Sequence, residues 1–266
     1  MPKKKKFKIL NAYSVMIVVI IALVVGIYFF NKMASADAPK SELTSKSKTD
    51  RNADFFIGDD TIMGDKNAPV IIAEFGDFMC PFCGEVHREI EPLWRKEYID
   101  TGKALYVFRD FISANHPQAY PAAEANECAD RQGKQKQWQM YDLLFDNAYA
   151  GDKWTEFDAK DQLNDAFKKY AAKIGLNMEQ FSKCMENDYF ASEINSDISA
   201  GLTIGVSGTP TIFIGNDQTG FSMIKGAQPY SVYKQIIDGK LNGSGNIPYD
   251  DIENQIDEIP SDKMCG

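Results

Sequence analysis

The stretch Val70-Ile71-Ile72-Ala73-Glu74-Phe75-Gly76-Asp77-Phe78-Met79-Cys80-Pro81-Phe82-Cys83 decides how the chain is read. Its first half is a short apolar run with the length and β-branched content of a buried strand. Its second half is a C-x-x-C followed by Val86, Ile90, Leu93, Trp94 and Tyr98 at helical spacing, closed by Thr101-Gly102. A C-x-x-C at a strand-to-helix junction places its first sulfur at a helix N-terminus. There, unpaired backbone N–H groups and the helix dipole favour a thiolate. Cys80 is therefore the candidate nucleophile. The motif taken alone also suits half of a zinc site.

Outward from this stretch the chain alternates. Ala104–Phe108 reads as a second buried strand, so strand, helix and strand form a βαβ unit with parallel strands. Upstream, Phe55-Phe56-Ile57 reads as a short strand, and Gly64 to Pro69 as a turn. From His116 to about Leu202 the pattern is helical, with Trp138, Tyr141, Leu144 and Phe145 on one face and Leu163, Phe167 and Tyr170 on another. Asn177 reads as the N-cap of a helix carrying Phe181, Cys184 and Met185. Gly205 to Pro210 leads into a strand at Thr211–Ile214, a turn at Gly215-Asn216-Asp217, a strand around Phe221–Ile224, and a helix from Tyr230 to Asp238 with Gly239 as its C-cap. Sheet-forming pieces thus lie at both ends and helices in the middle: an α/β core interrupted by a helical insertion.

Composition narrows the function. The 266 residues are 44% hydrophobic, enough for a substantial core. Residues 1–34 carry six lysines and no acid. With those removed from the 29 basic residues, and 38 acidic ones counted, the rest of the chain carries about −15. Such a surface repels nucleic acid rather than releasing its counterions. Residues 9–30 are apolar apart from Asn11 and Ser14, long enough to span a bilayer, while Ala34-Ser35-Ala36 fits a signal cleavage site. The length favours an anchor. The lysines then stay in the cytoplasm, and everything after residue 34 lies outside it, in a single-pass protein of the cell membrane or in one secreted after cleavage at Ala36.

The expected organisation is a cytoplasmic Lys cluster plus membrane anchor or signal (1–34), a flexible linker (35–53), an α/β core in two parts (54–115 and 203–242), a helical insertion (116–202), and an acidic tail (243–266). In the tail, Ile252, Ile256 and Ile259 fit a weak amphipathic helix. Asp59-Asp60 and Asp250-Asp251 lack the spacing of a Ca²⁺ loop and read as solvated surface.

Three features converge on redox chemistry: the C-x-x-C, an acid (Glu74) inside an apolar strand, and Thr209-Pro210 at the head of a strand, where a residue without N–H often marks a cis bond. In this order they resemble the DsbA-like thiol-disulfide oxidoreductases of the thioredoxin superfamily. His116-Pro117 and Glu127-Cys128-Ala129 are fainter echoes. The resemblance spans roughly residues 60–240. It implies a thioredoxin-like fold, Cys80 as the exposed sulfur that forms mixed disulfides, Cys83 as its buried partner, and Glu74 as a buried acid serving Cys83. It also implies that Thr209 and Pro210 form the loop that receives an extended substrate. Pro81 and Phe82 tune the redox poise. Phe82 cannot donate a hydrogen bond to sulfur, so a weaker oxidant than a Pro-His version is expected.

The implied activity is introduction of disulfides into exported cysteine-containing proteins, with no cofactor and with a membrane redox partner that reoxidises the dithiol. The alternatives are a reductase or isomerase on the same scaffold, or a metal-handling C-x-x-C module. His87 lies four residues after Cys83, but Cys80, Cys83 and His87 lack a fourth ligand, and no metal is expected. Cys128 and Cys184 sit on apolar helix faces. They are either two buried thiols or, in an exported protein, a structural disulfide. Cys265, beside the C-terminus, is expected to be exposed, at a dispensable end or in a bridge to another thiol.

Overall fold

The computed structural model describes residues 52–245 and 264–265. The anchor at 9–30, most of the linker and the Ile252–Ile259 segment lie outside the described residues. Among the described residues, no helix is long and apolar enough to cross a membrane.

A five-stranded sheet has the order β1-β3-β2-β4-β5. Its strands are β1 (Ile62–Met63), β2 (Val70–Gly76), β3 (Ala104–Asp110), β4 (Thr211–Asn216) and β5 (Gly220–Lys225). β2 and β3 are parallel, with Glu74 opposite Phe108, and the other pairings are antiparallel. Every residue of β2 and β3 is buried, because the sheet is covered on both faces. The two-residue period then sorts the side chains. Ile71, Ala73 and Phe75 pack with Phe56, Val107 and Phe213 on one side. Val70 and Ile72 join the larger core with Cys80, Cys83, Trp94, Tyr106 and the inserted helices. Glu74 shares the face of Val70 and Ile72, the face that carries the C-x-x-C.

Helix α1 (Ala53–Ile57) replaces the strand expected there. Asn52 caps it by accepting a hydrogen bond from the Phe55 N–H, and Phe56 stacks on Phe221 with ring centroids 3.9 Å apart. A local cap and one buried ring outweigh the β-propensity of Phe-Phe-Ile. Helix α2 is one helical run from Pro81 to Ile99, with π-wound turns at Val86–Ile90 and Arg95–Ile99. Pro92 lies between those turns, where its missing N–H breaks the regular ladder.

Between β3 and β4 lie α3 (Ala119–Asp130), α4 (Lys134–Ala148), α5 (Lys160–Lys173), α6 (Met178–Glu186) and α7 (Ala191–Thr203). The Asn177 carboxamide caps α6 at the Gln180 N–H. Cys128 on α3 and Cys184 on α6 form a disulfide, with Cα atoms 5.9 Å apart. Helix α8 (Tyr230–Leu241) runs through Gly239, which is not a cap. Buried Val232, Tyr233, Ile236 and Ile237 carry the helix onward, and Gly243, at φ 78°, is the residue in the left-handed region. Asp60 also departs from expectation. Its side chain is buried against Arg109 at 3.1 Å rather than solvated.

Candidate active site

Cys80 is the N-cap of α2 and Pro81 its first residue, a position where proline's fixed φ helps and its missing N–H costs nothing. Asp77 sets the loop that delivers Cys80. Its backbone carbonyl accepts from the Cys80 N–H at 3.0 Å, and its buried carboxylate accepts from Met79 N–H at 2.7 Å and Ser113 N–H at 3.0 Å. His116 Nδ1 lies 2.7 Å from the same carboxylate. That hydrogen bond, against a smaller opposing effect of burial, holds the imidazole pKa above its ordinary value. His116 thus reaches the active-site loop through Asp77. The Tyr149 hydroxyl adds a further bond to the Met79 carbonyl.

The Thr209–Pro210 peptide bond is cis and sits at the head of β4. It turns the Thr209 carbonyl toward Cys80, 3.4 Å from its Sγ. Cys83, one helical turn into α2, is a free thiol and 1% exposed. Burial pushes its pKa well up and the Glu74 carboxylate pushes it further, while contacts from the Asp77 backbone and Thr209 side chain act the other way. Glu74 is itself raised from 4.5 to about 8, chiefly by burial and then by Glu91. Phe82 is partly buried against the core and Pro81 is exposed.

Two expectations are corrected here. Cys80 is not exposed, having no accessible surface, and it is not bonded to Cys83. It forms a disulfide with Cys265, which is partly buried rather than exposed and which, of its two expected roles, takes the bridge to another thiol. Cys265 also exchanges two backbone hydrogen bonds with Thr209, each 2.7 Å, as an isolated antiparallel bridge. The tail's apolar pattern gave no sign of this pairing, since the residue carrying it is a lone cysteine.

A polar chain leads away from Glu74 through the core. The Tyr106 hydroxyl donates to Glu74 at 3.1 Å and lies 2.9 Å from that of Tyr141, which donates to Glu91 at 2.8 Å. Glu91 is paired with Arg95 and lies 3.3 Å from His87 Nδ1. His87 Nε2 is 3.3 Å from Asp146, whose side chain is more than half exposed. In sequence, Tyr106 and Tyr141 read only as apolar periodic positions. Tyr106, in the strand paired with the one that carries Glu74, was the available signal, whereas Tyr141 lies on α4 and gave none.

Among the described residues, the groups able to share a metal ion are His87/Glu91/Asp142 and Asp59/Asp60/Asp197. Neither includes a cysteine, so Cys80, Cys83 and His87 are not gathered as ligands.

A C-x-x-C opening the helix after β2, a cis-proline facing it and a helical block inserted between β3 and β4 together define a thioredoxin-like protein of the DsbA-like form. Residues 57–239 match the model of the family described as Thioredoxin, and the chain belongs to that family. It is 26% identical over 202 residues to disulfide bond formation protein D of Bacillus subtilis, covering 74% of this chain and 86% of that one. It is 34% identical over 157 residues to Na(+)/H(+) antiporter NhaA 3 of Salinispora tropica, covering 58% of this chain. The chain spans about a fifth of the length of that antiporter (21%). Among solved structures, alpha-DsbA1 of Wolbachia pipientis aligns with TM-score 0.61 and 24% identity, covering 70% of this chain and 92% of that one.

Proposed function

We propose that the chain is an extracytoplasmic thiol-disulfide oxidoreductase that introduces disulfides into exported proteins through Cys80 and Cys83. One observation carries the reading. The helix-capping sulfur lies against the cis-proline loop, while its C-x-x-C partner is a buried thiol beside a carboxyl whose pKa is raised by burial to about 8. In the cycle, a substrate thiolate attacks Cys80 of the Cys80–Cys83 disulfide, and Cys83 leaves as a thiolate. Glu74 gives Cys83 a proton and takes it back. A second substrate thiolate then attacks the substrate sulfur of the mixed disulfide and expels Cys80, so two electrons pass from the substrate to the dithiol. A membrane partner reoxidises it.

The Tyr106–Tyr141–Glu91–His87 chain gives the buried proton a connected route toward Asp146. The lysine cluster and the apolar segment at 9–30 support anchoring with the domain outside the cytoplasm. The experiment is oxidation of a reduced two-cysteine peptide by the oxidised protein. Transfer should stop in Cys80→Ser and also in a Cys83→Ser, Cys265→Ser double variant, which has no partner thiol with which Cys80 can hold a disulfide to pass on. Undiminished transfer by Cys80→Ser would end this reading.

A further inference from the structure

We infer that Cys265 is a third redox cysteine, and that Met264-Cys265 is a tethered pseudosubstrate that caps the active site by forming a mixed disulfide with Cys80. The inference rests on the oxidoreductase reading and adds a competitor for the substrate's place.

Four observations meet. Cys265 is bonded to Cys80, the sulfur at the helix N-terminus, and not to Cys83. Its backbone N–H and carbonyl pair with Thr209, as an extended peptide adding to a strand edge would. Cys80 has no accessible surface in this state. The fourth is Gly208. A Cβ there would collide with the Cys265 carbonyl and lie 3.1 Å from two Met264 side-chain atoms, so a residue without a side chain makes room for the tail.

The chemistry balances without an outside oxidant. The Cys265 thiolate attacks Cys80 Sγ, the Cys80–Cys83 bond breaks, the Cys80–Cys265 bond forms, and Cys83 leaves as a thiolate that takes up a proton. One disulfide and one thiol are present before and after. The reverse step, attack by Cys83 on Cys80, frees the tail and reopens the site. A substrate must therefore compete with a thiol held at an effective concentration in the millimolar range.

The test uses the full chain in detergent. In oxidised Cys83→Ser protein, digestion without reduction should give a Cys80–Cys265 peptide pair from monomers. Finding both residues alkylatable, or joined only between two chains, would overturn the proposal. With the oxidised wild-type protein, Cys265→Ser should speed oxidation of a dithiol peptide roughly tenfold or more at micromolar peptide, and the gap should close as peptide approaches millimolar. Equal rates at all concentrations would also overturn it. A Cys265→Ser protein with no oxidase activity, alongside an intact Cys80–Cys265 pair in Cys83→Ser, would instead defeat the oxidoreductase reading and leave the tail disulfide standing.

Discussion

Replacing Glu74 by Gln should make the protein more resistant to alkaline pH. In the native state the Glu74 carboxyl keeps its proton to about pH 8, whereas an ordinary Glu loses it near 4.5. Between those values the folded protein binds more protons at this site than the unfolded chain does, so stability falls as pH rises through the window. The contribution is complete below the unfolded value and gone above the folded one. At about 1.4 kcal/mol per pH unit, the loss between about pH 4 and pH 9 is roughly 4 to 5 kcal/mol. Glutamine keeps an oxygen to accept from Tyr106 but cannot ionise. The assay is urea unfolding of both proteins across that range, with the disulfides held in one state. Other buried acids, such as Asp110 and Glu127, slope the same way in both proteins and cancel in the difference. The stability gap should widen by several kcal/mol in favour of Glu74→Gln as pH rises. Parallel profiles, within about 1 kcal/mol over the range, would refute the assignment of a high pKa to this carboxyl.

Removing the Cys128–Cys184 bond by a Cys128→Ala, Cys184→Ala double substitution should cost roughly 4 kcal/mol by loop-closure entropy for a sequence separation of 56, measured by denaturant unfolding. Arg109 holds buried Asp197 and Asp60, and Arg109→Ala should destabilise by about 3–5 kcal/mol at neutral pH, with part of the loss recovered on acidification as the two acids protonate. Tyr141→Phe removes a donor from buried Glu91 and should cost about 1–3 kcal/mol in the same assay. Phe82→His should make the Cys80–Cys83 pair more oxidising by at least ~30 mV in equilibrium with glutathione, measured in a Cys265→Ser background.

How much of this was legible in the sequence depends on the range of the interaction. The strands at 70–76 and 104–110 and the helix after Cys83 announce themselves through local apolar patterns, and Glu74 stands out as an acid in a strand with every position buried. Thr209-Pro210 was visible because proline has no N–H. Asp77 was missed, although an Asp two residues before a loop N–H it can accept from is a recognisable turn signal. Helix α1 was misread because its stability comes from Asn52 and from Phe221, the second far along the chain. Arg109 bringing Asp60, Asp197 and the Phe55 carbonyl together is likewise a long-range event that no local window contains. The Cys80–Cys265 pairing, across a sequence separation of 185, is the extreme case. Nothing beside Cys265 distinguishes it from an idle terminal thiol.

The central claim is that Cys80 and Cys83 act as one exchange centre with Cys80 as the attacked sulfur. The most direct measurement is mass-spectrometric mapping of the adduct formed when oxidised Cys265→Ser protein meets a single-cysteine peptide, quenched in acid. The account predicts peptide bonded to Cys80, with Cys83 released as a thiol. Peptide bonded to Cys83, or no adduct at all, would contradict it.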